Sequence, residues 1–511
     1  MSFGVQMTKP AYFTTVLCTL TFIGQTALAQ ITAQDTWDSL VGYTATFGAE
    51  LSGTLTQTDT GLDITDVLVR LPSRTDAAAT LAFGDLSMVE RSDGTVELNY
   101  SETQDIRFAE AGKADTEYVT FRMNRSGMEM HASGVPGNVT FETQADQFDF
   151  SLIETAPSST GTDLADAEFS LSILGLRAQT KVNVSGLTEI TQSASHDRID
   201  FSLDISPAAG DRQTMTGTAT GATTGYHILS PSDEIVWTDL PGSFEAGLGF
   251  GFFFDFKNYT LVAIIDEPDD TPVLAEMDLQ DLESRYGFDR NGVVYNTSSS
   301  NVEMSFQFPE DDLPKTDLRL DKLVVEILLP TLARDTSQLS KIKVLAENLR
   351  FPDNAWDLLD PENILPRDPI TLSADMEYGI TMNHGLFDGI IAGASNDPAM
   401  TIDSFEAQKF FVSGLGVDFD GTGKLALDFE GMTPFSGMPN IDGNMQFTLT
   451  GAHGLLDNLL ALDLLSVEET FAARAALGMA TKPDGGPDQL KSEFVFDGEA
   501  NSITANGLRI R

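Results

Sequence analysis

From Glu50 onward, apolar side chains recur at every second position in run after run, and this period is what most constrains the fold. Val67, Val69 and Leu71 alternate with Leu68 and Arg70. Phe148, Phe150 and Leu152 alternate with Asp149 and Ser151, and Ile199, Phe201, Leu203 and Ile205 with Asp200, Ser202 and Asp204. Residues two apart share a face of a strand, so each run predicts a strand with one apolar and one polar face. Antiparallel sheets wetted on one side require that pattern. Asp59-Thr60-Gly61, Ser92-Asp93-Gly94 and Pro136-Gly137 punctuate the runs as turns. The spacing therefore predicts a mainly β chain of extended, curved antiparallel sheets with a few covering helices.

Helical spacing is confined to three places. Ala33–Gly48 places Trp37, Leu40, Val41 and Phe47 on one face. Asp353–Leu359 makes a short helix with Trp356 and Leu359 on one side. From Leu455 to Ala475 two helices are expected to meet near Ser466, where Ser466 and Glu469 form a capping box. Asp420-Gly421 is expected as a hairpin turn between Phe410–Phe419 and the strand starting at Leu425. A final hairpin of Glu493–Phe496 with Ser502–Arg511 closes the chain. The expected organisation is a signal peptide over 1–29, a β-rich half over 30–235, and a β-rich half with the late helical pair over 236–511.

The N-terminus predicts export. With a start at Met7, Lys9 gives a positive n-region, an apolar run follows from Ala11 to about Gly24, and Ala27-Leu28-Ala29 is a small-x-small cleavage site. The run is too short for a bilayer span, which needs about 20 apolar residues. Cys18 is the only cysteine and lies inside this signal, so the mature chain is expected to hold neither disulfide nor thiolate metal site. The net charge is −47; Lys9 is the only charged residue before Gln30, so cleavage leaves −48. Such a field repels phosphate backbones, which argues against nucleic acid as a partner.

Chemistry is sparse. No two of the five histidines sit at zinc-motif spacing, and nucleophile elbow, P-loop and dinucleotide fingerprint are all missing from the sequence. Asp418-Phe419-Asp420-Gly421-Thr422-Gly423 has part of a calcium loop but no acid at its fifth position and no glutamate at its twelfth. No catalytic residue, metal ligand or cofactor is assigned. One stretch invites a ligand. In the strand expected over Ser243–Leu261, Phe250, Phe252, Phe254 and Phe256 point one way, while Gly247, Gly249 and Gly251 point the other. The aromatic face is either core or the wall of a groove for an acyl chain or other apolar ligand.

Leu349–Met376 is dense in unusual residues, with prolines at 352, 361, 366 and 369. Its NAWDLLDPENILPRDPITLSADMEYGI resembles the Trp-x-x-x-Asp-Pro … Leu-Pro-x-x-Pro segment of the bacterial domain-of-unknown-function 2125 family. The matching residues are Trp356, Asp360, Pro361, Leu365, Pro366 and Pro369. The resemblance implies an exported alphaproteobacterial envelope protein with no established activity and no catalytic residues to carry over. A looser similarity of pattern to AsmA/TamB-like envelope proteins implies long curved sheets with an apolar groove that handles lipid.

The expected function is thus non-enzymatic and periplasmic: binding or guiding lipid or another apolar ligand. The alternative is a structural or adaptor role, docking an envelope partner. The export reading predicts that N-terminal sequencing of the protein from the periplasm starts at Gln30; a full-length, membrane-retained product would overturn it.

Overall fold

The computed structural model describes residues 31–71, 79–110, 118–155, 167–184, 187–206, 211–231, 235, 239–266, 272–308, 315–386, 400–428 and 439–510. The expected signal peptide over 1–29 lies outside them. Strand makes up 68% and helix 13%, so the protein is mainly β, as the alternation predicts. The chain forms two compact units, one ending at Phe256 and the other beginning at Lys257.

The N-terminal unit starts with helix α1 (Ala33–Thr46). Thr32 caps it: its hydroxyl accepts from the Asp35 backbone N–H at 3.1 Å, and the Asp35 carboxylate accepts from the Thr32 backbone N–H at 3.1 Å. Trp37, Leu40 and Tyr43 are buried on one side of α1. That side packs on β1 (Glu50–Gln57), β2 (Gly61–Arg70) and β3 (Ala79–Glu90). Strands β4 (Val96–Tyr100) and β5 (Thr103–Glu110) follow, then β6 (Tyr118–Ser126), β7 (Glu129–Val135) and β8 (Asn138–Thr155). Next come β9 (Ala167–Asn183), β10 (Thr188–Ile205) and β11 (Arg212–Ser230). All pairings are antiparallel and join sequence neighbours, once β4 with β5 and β6 with β7 are seen as single lanes that break midway. The core joins Trp37 and Tyr43 to Phe83, Phe141 and Phe150, and the Tyr43 and Tyr226 hydroxyls share a buried hydrogen bond of 2.7 Å.

A seam of irregular residues crosses these lanes. Asp66, Gly84, Gly127, Gly175 and Gly221 all have positive φ, between 56° and 76°. Across β8 to β11 the seam alternates acid and glycine: Asp146, Gly175, Asp197 and Gly221 are the positions where the ladders skip a pair. A side chain on Gly127 would strike the Asp146 carboxylate, and one on Gly175 the Asp197 carboxylate. The register is the same on both sides of each gap, so the seam interrupts the ladders of β8 to β11 without shifting them.

Helix α2 (Leu240–Glu245) precedes β12 (Gly249–Asp266), inside which the boundary between the units falls. The single strand expected over Ser243–Leu261 is therefore corrected at its start. Asp239 accepts from the Gly242 N–H at 3.0 Å and Pro241 lies in the first turn, so the segment opens as a helix that buries Leu240 and Phe244.

The C-terminal unit continues as a meander of β13 (Val273–Asp289), β14 (Gly292–Gln307), β15 (Thr316–Leu329), β16 (Gln338–Leu349), β17 (Ile370–Met382), β18 (Met400–Gly414), β19 (Val417–Asp428) and β20 (Asn440–Thr450). Helix α3 (Asp353–Leu359) is inserted before β17. Helices α4 (Ala452–Ala461) and α5 (Val467–Ala480) are inserted after β20. Short β21 (Lys482–Pro483) and then β22 (Gln489–Asp497), β23 (Ser502–Ala505) and β24 (Leu508–Arg509) end the unit. β20 pairs directly with β22 out to Thr450 and Gln489. The expected capping box at Ser466 is present, its hydroxyl accepting from the Glu469 N–H at 3.2 Å. Asp420-Gly421 is not a turn: the chain reverses at Leu415-Gly416, both at positive φ, and Gly421 lies inside β19 opposite Phe410 and Phe447. There its missing side chain leaves room for the Phe419 ring, which a Cβ would meet at 3.1 Å.

The seam predicts unequal glycines. Gly175→Val forces a β-branched residue to a φ of 63° and should lower urea-unfolding stability by about 2 kcal/mol. Gly478 in α5 meets nothing within 4 Å, so Gly478→Ala should leave stability unchanged or raise it by up to about 1 kcal/mol.

Candidate functional site

In an antiparallel ladder, directly opposed residues share a face, so register alone assembles rows across the C-terminal unit. One row runs Tyr286, Tyr295, Ile327, Ile342, Met376, Ala407, Gly423, Met445 and Phe494, from β13 to β22. Beside it lie Val325, Val344, Ala374, Phe410, Gly421 and Phe447 on one side and, beyond those, Leu323, Ala346, Leu372, Val412, Phe419 and Leu449. Charged groups are missing from these rows.

The face is apolar yet open. Its small members Ala374, Ala407 and Gly421 are buried, while Ile327, Ile342, Val344, Phe410, Phe419 and Phe447 stay half-buried and Tyr286 is 37% exposed. Among the described residues, one buried apolar cluster of the unit joins Leu279, Val302 and Leu320. Rings stand in sequence along one side of the face: Phe410 meets Phe419 edge-on at 5.7 Å, Phe419 meets Phe447 at 5.6 Å, and Phe447 meets Phe494 at 5.2 Å.

The opposite face is charged. Glu326, Lys343, Asp375 and Lys409 oppose one another in alternating sign on four successive strands. Lys343 donates to Glu326 at 2.6 Å, Lys341 pairs with Asp375 at 3.3 Å, and Lys424 pairs with Glu406 at 2.5 Å. Its hydrogen bond to the Glu326 carboxylate holds the Lys343 ammonium above its ordinary pKa. One face thus carries charge and the other is apolar, both half-buried.

Of the residues singled out in the sequence, Phe250 and Phe252 belong with the N-terminal core. Phe250 and Phe252 pack against the core of the N-terminal unit, with Phe244 6.4 Å from Phe250 and Tyr226 6.4 Å from Phe252. Phe254 and Phe256 are half-buried. The proline-rich stretch folds into α3 and a loop held by side-chain hydrogen bonds. Asp360, fully buried, accepts from the Ile364 and Leu365 N–H groups at 2.8 Å each. Arg367 lies 6.0 Å over the Trp356 ring and donates to Asp357 at 3.0 Å. Pro366 packs near Gly416, while Pro361 and Pro369 are exposed. Leu359, expected beside Trp356, is 66% exposed.

Two buried titratable groups of the N-terminal unit, His196 and Glu142, lie on opposite faces. Burial pulls His196 down to about 4, and its Nε2 shares a 3.2 Å hydrogen bond with Thr224. Burial pushes Glu142 up, with Gln179 donating to it at 3.0 Å. His196 lies on the face that α1 covers and Glu142 on the other, so they cannot share a proton across one substrate. Among the described residues no group of three His, Cys, Asp or Glu is placed to hold a metal, and no helix is long and apolar enough to cross a membrane.

No protein-family model matches the chain, and no curated protein is significantly similar to it. The site therefore rests on its geometry.

The two aromatic environments predict different costs of truncation. Phe150, fully buried, should lose ~3–5 kcal/mol on replacement by alanine. Phe252→Ala, from a half-buried ring, should lose roughly 2 kcal/mol. Equal losses in urea unfolding would show that Phe252 is as deeply packed as Phe150.

Proposed function

We propose that the protein is a non-enzymatic, periplasmic envelope protein that holds or guides the acyl chains of a lipid along the apolar face of its C-terminal unit. The observation that carries this reading is the half-buried state of the large side chains in rows that contain no charge. An apolar surface left open over many strands marks a binding site in a monomeric protein. Nine strands at their usual spacing extend roughly 40 Å. One leaflet of a bilayer's ~30 Å hydrocarbon core is about 15 Å deep, so the rows exceed a single acyl chain. The likeness of the Trp356–Pro369 stretch to the domain-of-unknown-function 2125 family, and the looser likeness to AsmA/TamB-like proteins, agree with an envelope role.

A second reading, an adaptor that docks an envelope protein, is favoured by the helical pair. Val467, Phe471 and Met479 recur every four or eight residues along α5, at 68%, 75% and 66% exposure.

Native mass spectrometry of protein purified from the periplasm should show co-purifying lipid. Val344→Asp places a charge in the middle of the rows, and uptake of a fluorescent fatty-acid probe should fall roughly tenfold or more, given the cost of burying an unpaired carboxylate under an acyl chain. Wild-type protein that carries no lipid and takes up no probe would remove the lipid reading and leave the adaptor.

A further inference from the structure

Helix α5 shows its apolar side to solvent. Past the first turn every exposed position is apolar: Phe471, Ala472, Ala475, Ala476, Gly478 and Met479. A helix on a protein surface ordinarily puts its charged residues there. The one later charge of α5, Arg474, is half-buried instead and turned to α4, where it donates to Asp457 at 2.5 Å and to the His453 carbonyl at 3.4 Å. That ion pair, the capping box at Ser466 and the buried Thr470 hold α5 in place with its apolar face outward.

The face is patterned symmetrically about Ala475. Phe471 and Met479, both large and apolar, stand four positions to either side of it, and the small Ala472 and Gly478 three positions to either side. Glu468 and Lys482 stand seven positions to either side and carry opposite charges. Both are exposed, and among the described residues neither has an ionic partner; Lys482 donates to the neutral Asn506 carbonyl at 2.8 Å. A twofold axis at Ala475 turns this symmetry into complementarity, because it sets each position against its mirror position on a second copy.

We infer that α5 is the contact surface of a homodimer, laid antiparallel on α5 of a second copy of this chain. Phe471 then meets Met479 of the partner subunit in a sulfur–aromatic contact. Glu468 meets Lys482 of the partner subunit, and Ala475 lies against the partner's Ala475, small enough for the helix axes to approach to about 8 Å. A parallel pair would instead oppose like charges at both ends. The contact is small: 14 residues span about 21 Å, and one helix face of that length falls short of the roughly 800 Å² per partner of a standard interface. Each copy also carries a net charge of −47, so the two repel over their whole surfaces. The dimer is therefore weak, and it tightens as salt screens that repulsion, over about 10 Å at 0.1 M. The inference is independent of the lipid reading of the sheet, and it gives the stripe of the adaptor reading to a second copy.

Sedimentation equilibrium of the full mature chain should show a monomer–dimer equilibrium with Kd on the order of 10–100 µM, tighter in moderate salt than in dilute buffer. Phe471→Glu, at a position 75% exposed, should leave urea unfolding unchanged and weaken the dimer roughly tenfold or more, because it buries an unpaired carboxylate in the contact. Glu468→Lys should weaken the dimer, and adding Lys482→Glu should restore it. Cys18, the only cysteine, lies ahead of Gln30, so Ala475→Cys puts the sole thiol of the mature chain on the axis. Under mild oxidation it should link two copies much faster than Ser195→Cys, an exposed position in the N-terminal unit. A wild type that stays monomeric at about 200 µM in both salts would overturn the inference. So would a Phe471→Glu variant that associates like wild type, or an Ala475→Cys variant that links no faster than Ser195→Cys. Monomeric protein that floats with phosphatidylcholine vesicles, and loses this with Phe471→Glu, would overturn it in favour of a membrane surface.

Discussion

A strand whose faces alternate by single residues tolerates no partial error: a slip of one position against its neighbour exchanges the two faces. In the C-terminal unit the row Tyr295–Ile327–Ile342–Met376 exists only because three consecutive ladders stay in phase. The charged face guards that phase. A one-residue slip of β16 would carry Lys343 into the apolar rows and leave Glu326 without its partner. Opposed charges contribute little as isolated surface pairs. Their larger effect here is to penalise every competing register.

The two units use the same meander differently. In the N-terminal unit α1 lies on the strands and closes a core around Trp37, Phe83 and Phe141. Its capping box, its buried stripe and the Tyr43–Tyr226 hydrogen bond all serve that closure. The C-terminal helices cover less. α3 buries Trp356, α4 buries only Ala452, and α5 only Thr470. Among the described residues, no helix of comparable buried stripe lies on that unit's sheet, whose large side chains are half-buried. The difference in function drawn between the units is a difference in what covers an equivalent surface.

Much of this was legible from residue spacing. The strands, α1, α3 and the helices meeting at Ser466 follow from periods of two and 3.6 and from a capping box. The misread points have local reasons. Asp420-Gly421 has the composition of a turn, but Gly421 lies inside β19, where a side chain would crowd the Phe419 ring, while the reversal falls to Leu415-Gly416, which carries a weaker signal. Ser243–Glu245 joined an aromatic strand in the sequence because Asp239 and Pro241, the helix-starting signals, lie just before it. The seam was visible only as scattered glycines and aspartates, since each is ordinary alone and becomes a line only after the strands are aligned. The open apolar face was hidden for a deeper reason: alternation states which side chains share a face, not how much of that face a neighbouring element covers.

Within each unit, ladders join strands that are adjacent in sequence, and this topology has a kinetic meaning. Contacts that close short loops form fast, so each new lane can zip onto the one before it without waiting for distant parts of the chain. Stability then becomes a sum over nearest-neighbour lanes, as in repeat proteins, rather than the property of one indivisible core. Such an architecture gains or loses a pair of lanes without redesign of the rest. The direct pairing of β20 with β22 around α4 and α5 shows the same economy, since a whole helical pair is accommodated at one end of a ladder that does not change its step.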